Sequence, residues 1–216
     1  FKKIRLADTF ILKTDLYVEA KNKKDNFFPS LEIHKGVGMD ISFDIVRMAR
    51  KNLSRLFPQM HFVVADVWHL PFKEESFSAV ISDSTLDHFP VNKLPIALLE
   101  LKRVMRNQGK LILSLNNVFN FTVALMRSAA NLFLDDFYVS FCFNRRRVAS
   151  LLKKHGFKIV DGDYIIPLDY PAMELVKLCV TTKNKIIYFL AFLWWSLVQG
   201  IFRVEFLKKF CCLQFI

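Results

Sequence analysis

Three aspartates stand directly after short apolar runs. Asp15 follows Thr9 to Thr14 (TFILKT), Asp40 follows Gly36 to Met39 (GVGM), and Asp66 follows His61 to Ala65 (HFVVA). A fourth run, Phe77 to Ser82 (FSAVIS), ends in the group Ser82, Asp83 and Ser84. A carboxylate at such a position accepts charge-assisted hydrogen bonds, which are stronger than neutral ones. A ribose diol, an amino group and an adenine amine are donors of the matching kind. A single aspartate after a strand commonly caps the next helix or forms a turn instead. Three in corresponding places favour a nucleoside site. His88, in Ser84 to Phe89 (STLDHF), has a side chain that titrates near neutral pH and suits a general base; a structural or exposed histidine is the alternative. Asn116 and Asn117 offer hydrogen bonds to a substrate, or cap a turn. Trp68 and His69 can flank a base, although an aromatic after a strand commonly packs in the core. His34 and His61 have no evident partner.

Placing these residues together requires a parallel sheet. Short apolar runs alternate with helical patterns, the signature of βαβ units. The spacing predicts strands at Thr9–Thr14, Gly36–Met39, His61–Ala65, Phe77–Ser82 and Lys110–Leu115. Ser42 is positioned to cap a helix whose apolar positions are Ile45, Met48, Ala49, Leu53 and Leu56. A second helix is predicted over Lys93–Arg106, with Ile96, Leu99, Val104 and Met105 turned inward, followed by a turn at Asn107–Lys110. A third, Arg145–His155, stops at Gly156, and Phe157–Ile166 supplies strand material. Ala20–Ile33 reads as part helix, interrupted at Pro29. The fold class expected is α/β, Rossmann-like, with a mostly parallel sheet flanked by helices and a C-terminal apolar helical extension. In an open parallel sheet, ligands bind beyond the carboxyl ends of the strands, where the aspartates stand.

Several segments resemble those of class I S-adenosylmethionine-dependent methyltransferases, type 11-like. Gly38-Met-Asp40-Ile-Ser42 is similar to their second-strand motif, whose acidic residue holds the ribose hydroxyls. Val64-Ala-Asp66-Val-Trp-His-Leu70-Pro71-Phe72 resembles D-x-x-x-L-P-F, whose Asp meets the adenine amine. Phe77-Ser-Ala-Val80 resembles F-D-x-V. Leu98 to Lys110 (LLELKRVMRNQGK) resembles E-x-x-R-V-L-x-P-G-G, and His155-Gly156-Phe157 resembles the late x-G-F turn. The resemblance covers about residues 9 to 166. It departs at the first strand, where the family has E/D-x-G-x-G. Here the run is Leu12-Lys13-Thr14-Asp15-Leu16-Tyr17-Val18-Glu19, without glycine. A β-carbon there narrows the space for a ligand and disfavours positive φ. The K-T-D-L-x-x-E-A segment is similar to a variant of some relatives, in which Asp15 and Glu19 meet the amino-acid end of the cofactor. The resemblance therefore implies S-adenosyl-L-methionine as cofactor, bound by Asp15, Glu19, Gly38, Asp40, Ile41, Asp66, Val67, Ser82 and Asp83, with His88 as the catalytic base. It implies methyl transfer to a small-molecule or lipid-like acceptor. A catalytically weak binding protein of the same fold, or a membrane-associated interaction protein, is the alternative.

Of 216 residues, 53% are apolar and 23 are phenylalanine, enough for one sizeable core plus an appendage. The net charge of +11 admits nucleic acid, an anionic membrane or an acidic substrate as partner. The basic residues are dispersed and carry no nucleic-acid motif, so no specific nucleic-acid partner is expected. Cys142, Cys179, Cys211 and Cys212 show no metal-ligand spacing, and a reducing, cytoplasmic setting is the simplest reading. The amino terminus, Phe-Lys-Lys-Ile-Arg, has neither an initiator Met nor a signal-peptide pattern, consistent with a fragment. Two regions are expected: a methyltransferase-like domain over 1–170 and an apolar extension over 171–216. Ile186 to Phe202 contains no charge, and its 17 residues are at the short limit for a membrane span. Residues 186–209 read as an amphiphilic helix held against the domain or a membrane surface, and Cys211–Ile216 as the start of a last strand.

Overall fold

The structure, a computed structural model, describes residues 6, 9–21, 28, 31–119, 141–167, 189, 193 and 212–215. The chain forms two compact units, Phe1–Ser114 and Leu115–Ile216.

In the first unit, β1 (Phe10–Lys13), β2 (Lys35–Asp40), β3 (Gln59–Val64), β4 (Phe77–Asp83) and β5 (Met105–Asn116) lie in the order β3-β2-β1-β4-β5. Every neighbouring pair is parallel. The fold class read from the alternation of runs is the one observed for this sheet. Strand order reverses direction between β1 and β4, and such a switch point opens a crevice at the carboxyl ends of the strands. Register fixes what stands there. Lys13 is level with Gly38 and Ile81, and Asp40 with Val64. β1 is central, so Ile11, Leu12 and Lys13 are all buried. That explains a continuous apolar run instead of an alternating one.

Helix α1 (Tyr17–Lys21) is a single short turn after β1, and α2 (Phe43–Leu53) follows β2. Ser42 caps α2, its hydroxyl accepting from the Ile45 N–H at 3.4 Å. The face α2 buries is Val46, Ala49 and Leu53, with Ile45 half-buried. The expected face is therefore corrected: Met48 and Leu56 point to solvent, and Leu56 lies beyond the helix end at Leu53. Leu16 and Ala20 pack on Val46 and Ala49, tying α1 to α2. Each such burial contributes about 1–3 kcal/mol. Leu16 also explains Gly38. A β-carbon at Gly38 would lie 2.7 Å from the Leu16 Cδ2 atom, so glycine is what lets Leu16 close over β2.

Helix α3 (Leu94–Val104) begins with Pro95 in its first turn, where a missing N–H is harmless. It buries Leu94, Ala97, Leu98, Leu101 and Val104. Ile96 and Leu99, expected inside, are 43% and 54% exposed: the buried stripe is centred one residue away from the expected one. Met105 belongs to β5, and Asn107–Lys110 is not a free turn. Phe77 pairs with Met105, but Ala79 pairs with Lys110, so the intervening residues bulge out of the ladder, with Gln108 at φ 61°.

In the second unit, α4 (Arg145–Lys154) is capped by Asn144, whose side chain accepts from the Arg146 N–H at 2.9 Å. It ends as expected, with Gly156 at φ +80°. The strand material expected over Phe157–Ile166 is shorter: only β6 (Tyr164–Pro167) forms. β7 (Cys212–Phe215) pairs antiparallel with β6 and with Leu115 and Asn116 at the end of β5. The stretch 186–209 lies outside the described residues apart from Phe189 and Leu193, both helical. Among the described residues no helix is long and apolar enough to cross a membrane. Most of the helix expected over Ala20–Ile33 also lies outside them.

Candidate functional site

The strand ends of the first unit bring Asp15, Asp40 and Glu19 together around one lysine. Lys13, the last residue of β1, is fully buried. Its Nζ donates to Glu19 Oε2 at 3.0 Å and to the Asp15 carbonyl, and lies 3.9 Å from Asp15 Oδ1. Glu19 is equally buried, and its second oxygen, Oε1, has no hydrogen-bond partner among the described residues. The carbonyls of Glu19 and Ala20 accept from the Asn52 amide at 3.1 and 2.8 Å, which locks α1 to α2. In place of glycines, this loop is shaped by an internal ion pair and by Leu16.

Asp15 stands at the mouth of this arrangement. Its Oδ1 accepts from the Tyr17 N–H at 3.2 Å, and its side chain keeps 23% of its exposure. Burial pushes its carboxyl up from 3.8 to about 6. Lys13 opposes that rise, the charges of Asp40 and Glu19 add to it, and the Tyr17 N–H offsets part. Asp40 Oδ1 accepts from Ser42 N–H at 2.9 Å, and Oδ2 from Leu16 N–H at 3.2 Å. A carboxylate has about four acceptor directions, so two remain open on Asp40. Ile41 beside it is 64% exposed.

Asp66 stands just beyond β3, its Oδ1 accepting from Trp68 N–H at 2.9 Å while the His69 N–H bonds the Asp66 carbonyl. This tight turn buries Val67 and leaves His69 exposed. Trp68 rests on Phe89, ring centroids 4.7 Å apart. The Trp68 Nε1 and the fully buried Ser82 Oγ have no hydrogen-bond partner among the described residues. The chain after Asp66 is clamped by α3. Arg103 donates to the Leu70 carbonyl at 2.9 Å and the Phe72 carbonyl at 2.8 Å, while Glu100 accepts from Leu70 N–H at 2.9 Å and pairs with Arg103. The Arg103 hydrogen bond holds the Glu100 carboxyl below its usual range.

At the end of β4, Asp83 accepts a short hydrogen bond from the Ser114 hydroxyl, which itself accepts from Ser84 N–H at 3.2 Å. Ser84 sits at φ 53°, a left-handed conformation that a non-glycine residue rarely takes. Thr14 and Thr85 share a 2.7 Å hydrogen bond, joining the loop after β1 to that after β4. His88 closes a 3₁₀ turn (Leu86–His88) and is exposed beside the buried Asp87. In the second unit, Asn116 and Asn117 are buried. The Asn116 amide donates to the Phe141 carbonyl at 3.4 Å, and Asn117 accepts from Phe119 N–H at 3.1 Å. His34 and His61 are exposed.

Sequence reasoning thus located the strand-end acids but missed Lys13, the Thr14–Thr85 bridge, Ser114 and the clamp. Of these only the Glu100–Arg103 spacing of three on a helix was a readable signal.

Residues 26–113 match the family model described as a methyltransferase domain. A Bacillus subtilis protein named uncharacterized methyltransferase YodH is 32% identical over 109 residues, 49% of this chain and 42% of that one. The chain spans less than half the length of the curated relatives it matches. Among solved structures, magnesium protoporphyrin IX methyltransferase (ChlM) from Synechocystis, crystallised with bound SAH, superposes with a TM-score of 0.55 at 18% identity, covering 74% of this chain and 68% of that one. A SAM dependent methyltransferase from Aquifex aeolicus gives 0.52 at 14% identity, covering 74% and 77%. At these identities the likeness establishes the fold. Taken with the sheet order, the match over residues 26–113, less than half of the chain, makes the first unit similar to the methyltransferase domain of class I S-adenosylmethionine-dependent enzymes.

Proposed function

We propose that the chain binds S-adenosyl-L-methionine at the carboxyl ends of β1, β2 and β3 and promotes methyl transfer to a small-molecule or lipid-like acceptor. The observation that carries this reading is Asp40. It stands at the end of β2 with two acceptor directions open, beside an exposed Ile41. Those open acceptor positions fit a ribose diol, with an aromatic base over the isoleucine. Asp66, with only its Oδ1 engaged by a backbone N–H, suits an adenine amine. Asp15 suits a cationic amino-acid end, because a carboxyl pushed up to about 6 gains from a positive neighbour. Gly38, Val67, Ser82 and Asp83 frame the same strand ends, and Glu19 acts on that end through Lys13. When bound, the cofactor supplies an electrophilic methyl on a sulfonium. The protein then has to hold an acceptor in line with that methyl and remove a proton where the acceptor carries one. His88, exposed in the turn after β4, is the base proposed.

A second reading is favoured by Leu16, whose side chain covers Gly38 and whose N–H already occupies Asp40. Such filling suits a methyltransferase-like binding protein with weak catalysis. Titration calorimetry with S-adenosylhomocysteine tests both readings. Micromolar binding, weakened about 10–150-fold in Asp40→Ala as a charge-assisted bond is lost, is expected. Binding that ignores Asp40→Ala with the fold intact would reject this site. Binding without methyl transfer to any acceptor offered would favour the second reading. The domain limits of 1–170 and 171–216, a cytoplasmic location and a membrane contact through residues 186–209 belong to the same proposal. The contact is supported by the uncharged run and the lysines at 183, 185, 208 and 209.

A further inference from the structure

The loop after β1 carries more negative charge than it neutralises. Lys13, Asp15, Glu19 and Asp40 form one cluster: Lys13 bonds Glu19 and approaches Asp15, and the Leu16 N–H ties the loop to Asp40. Among the described residues, one cation faces three carboxylates. Lys13 is fully buried and spent on Glu19 Oε2 and the Asp15 carbonyl, so it cannot turn to serve the mouth of the site. Glu19 Oε1, fully buried, takes no hydrogen bond from the described residues. Asp15 and Asp40 lie partly open, but Asp40 is held by two backbone N–H groups, whereas Asp15 accepts from the Tyr17 N–H and its Oδ2 takes no hydrogen bond from the described residues.

We propose that this cluster makes Asp15 a charge selector, holding the sulfonium form of the cofactor in preference to its neutral thioether product. The inference rests on the binding site proposed above. The two ligands share the adenosine, the α-ammonium and the α-carboxylate. They differ by one methyl group and one positive charge. Contacts to the shared parts therefore cancel in the ratio of their affinities, and what remains reports the field at the sulfur. A glycine-rich loop offers that sulfur backbone dipoles. This loop offers a carboxylate that shares Lys13, 3.9 Å away, with Glu19, in partly desolvated surroundings, where charge pairs are screened less than in water. An opposite charge within ~4–6 Å of a carboxylate shifts its titration by one to three units, and by linkage the same factor, about 10- to 1000-fold, appears in the affinity for the cation. The consequence is an enzyme that releases its product readily and is weakly inhibited by it.

The test is calorimetric titration of the whole chain at pH 8 with S-adenosylmethionine, S-adenosylhomocysteine and sinefungin, which carries an ammonium centre in place of the sulfonium. Wild type should bind both cationic ligands at least 10-fold more tightly than the thioether. In Asp15→Asn, which keeps the acceptor for the Tyr17 N–H, the preference should fall to within about 2-fold, any loss at the shared amino-acid end being common to all three ligands. A cooperative thermal melt at or above that of wild type shows that the variant is folded. Equal affinity for the three ligands in wild type, or a preference that survives Asp15→Asn, overturns the proposal while leaving the cofactor site standing. Failure of all three ligands to bind wild type rejects the site itself.

Discussion

The surroundings of Asp15 disfavour its charged form, and that has a measurable cost. Its carboxyl titrates at about 6 in the fold, because burial and the charges of Asp40 and Glu19 outweigh the attraction of Lys13 and the Tyr17 N–H. The unfolded chain titrates near the usual 3.8. Between those values the native state holds more protons than the unfolded one, so stability falls as pH rises through the window and stays lower above it. The rise from 3.8 to about 6 corresponds to roughly 3 kcal/mol; with part of the side chain in water, about 1–3 kcal/mol is expected. Asp15→Asn should therefore raise stability by that amount at pH 8, with little gain at pH 4.5, in urea unfolding without ligand. A variant that is less stable than wild type at pH 8 would show that the carboxylate is structurally required. Lys13 illustrates what sequence could not reveal here. A lysine in TFILKT reads as a strand-end residue bound for solvent. Its burial depends on a glutamate six residues later, on a helix that packs against α2.

At the scale of elements, the strands were readable because a central parallel strand is an unbroken apolar run that must stop where the ligand crevice begins. Each observed strand of the first sheet overlaps its expected span. Helix faces were less readable: α3 has apolar residues nearly all round, and its sequence does not say that Leu98 and Leu101, instead of Ile96 and Leu99, meet the sheet. The bulge at 107–110 looked like a turn because Asn-Gln-Gly carries turn chemistry in either setting. The Glu100–Arg103 pair was visible as a helical spacing, but its target, two carbonyls and an N–H more than 29 residues earlier in the chain, was not. This clamp fixes the segment that leaves Asp66. Removing Arg103 strands the Leu70 and Phe72 carbonyls and leaves Glu100 without its cation. Charge-assisted hydrogen bonds are worth about 1.5–3 kcal/mol, so Arg103→Ala should cost roughly 2–4 kcal/mol in denaturant unfolding. Arg103→Lys should recover less than half, since an ammonium cannot reproduce the fork. A loss under 0.5 kcal/mol would mean that the loop holds itself.

For the whole molecule, the question is what the carboxy-terminal residues contribute. The sequence showed an uncharged run followed by CCLQFI, and two roles fitted it: a helix leading into a last strand, or an anchor to a membrane. β7 speaks for the first. Cys212–Phe215 pairs antiparallel with β6 on one side and with Leu115 and Asn116 on the other. A strand between two others satisfies backbone groups on both of its edges, and removing it exposes both neighbours as open edges. Open, apolar edges template pairing between chains. A chain ending at residue 180 should therefore unfold at lower temperature than the whole chain and aggregate on heating, with or without lipid present. The +11 charge and the lysines flanking 186–209 predict a separable effect: salt-sensitive retention on vesicles containing anionic lipid, present in the whole chain and lost in the truncation. If residues 1–180 instead melt as the whole chain does, stay monomeric and bind S-adenosylhomocysteine equally well, β7 is dispensable. The carboxy-terminal segment would then serve a surface outside the domain, and retention on vesicles would become the measurement that defines it.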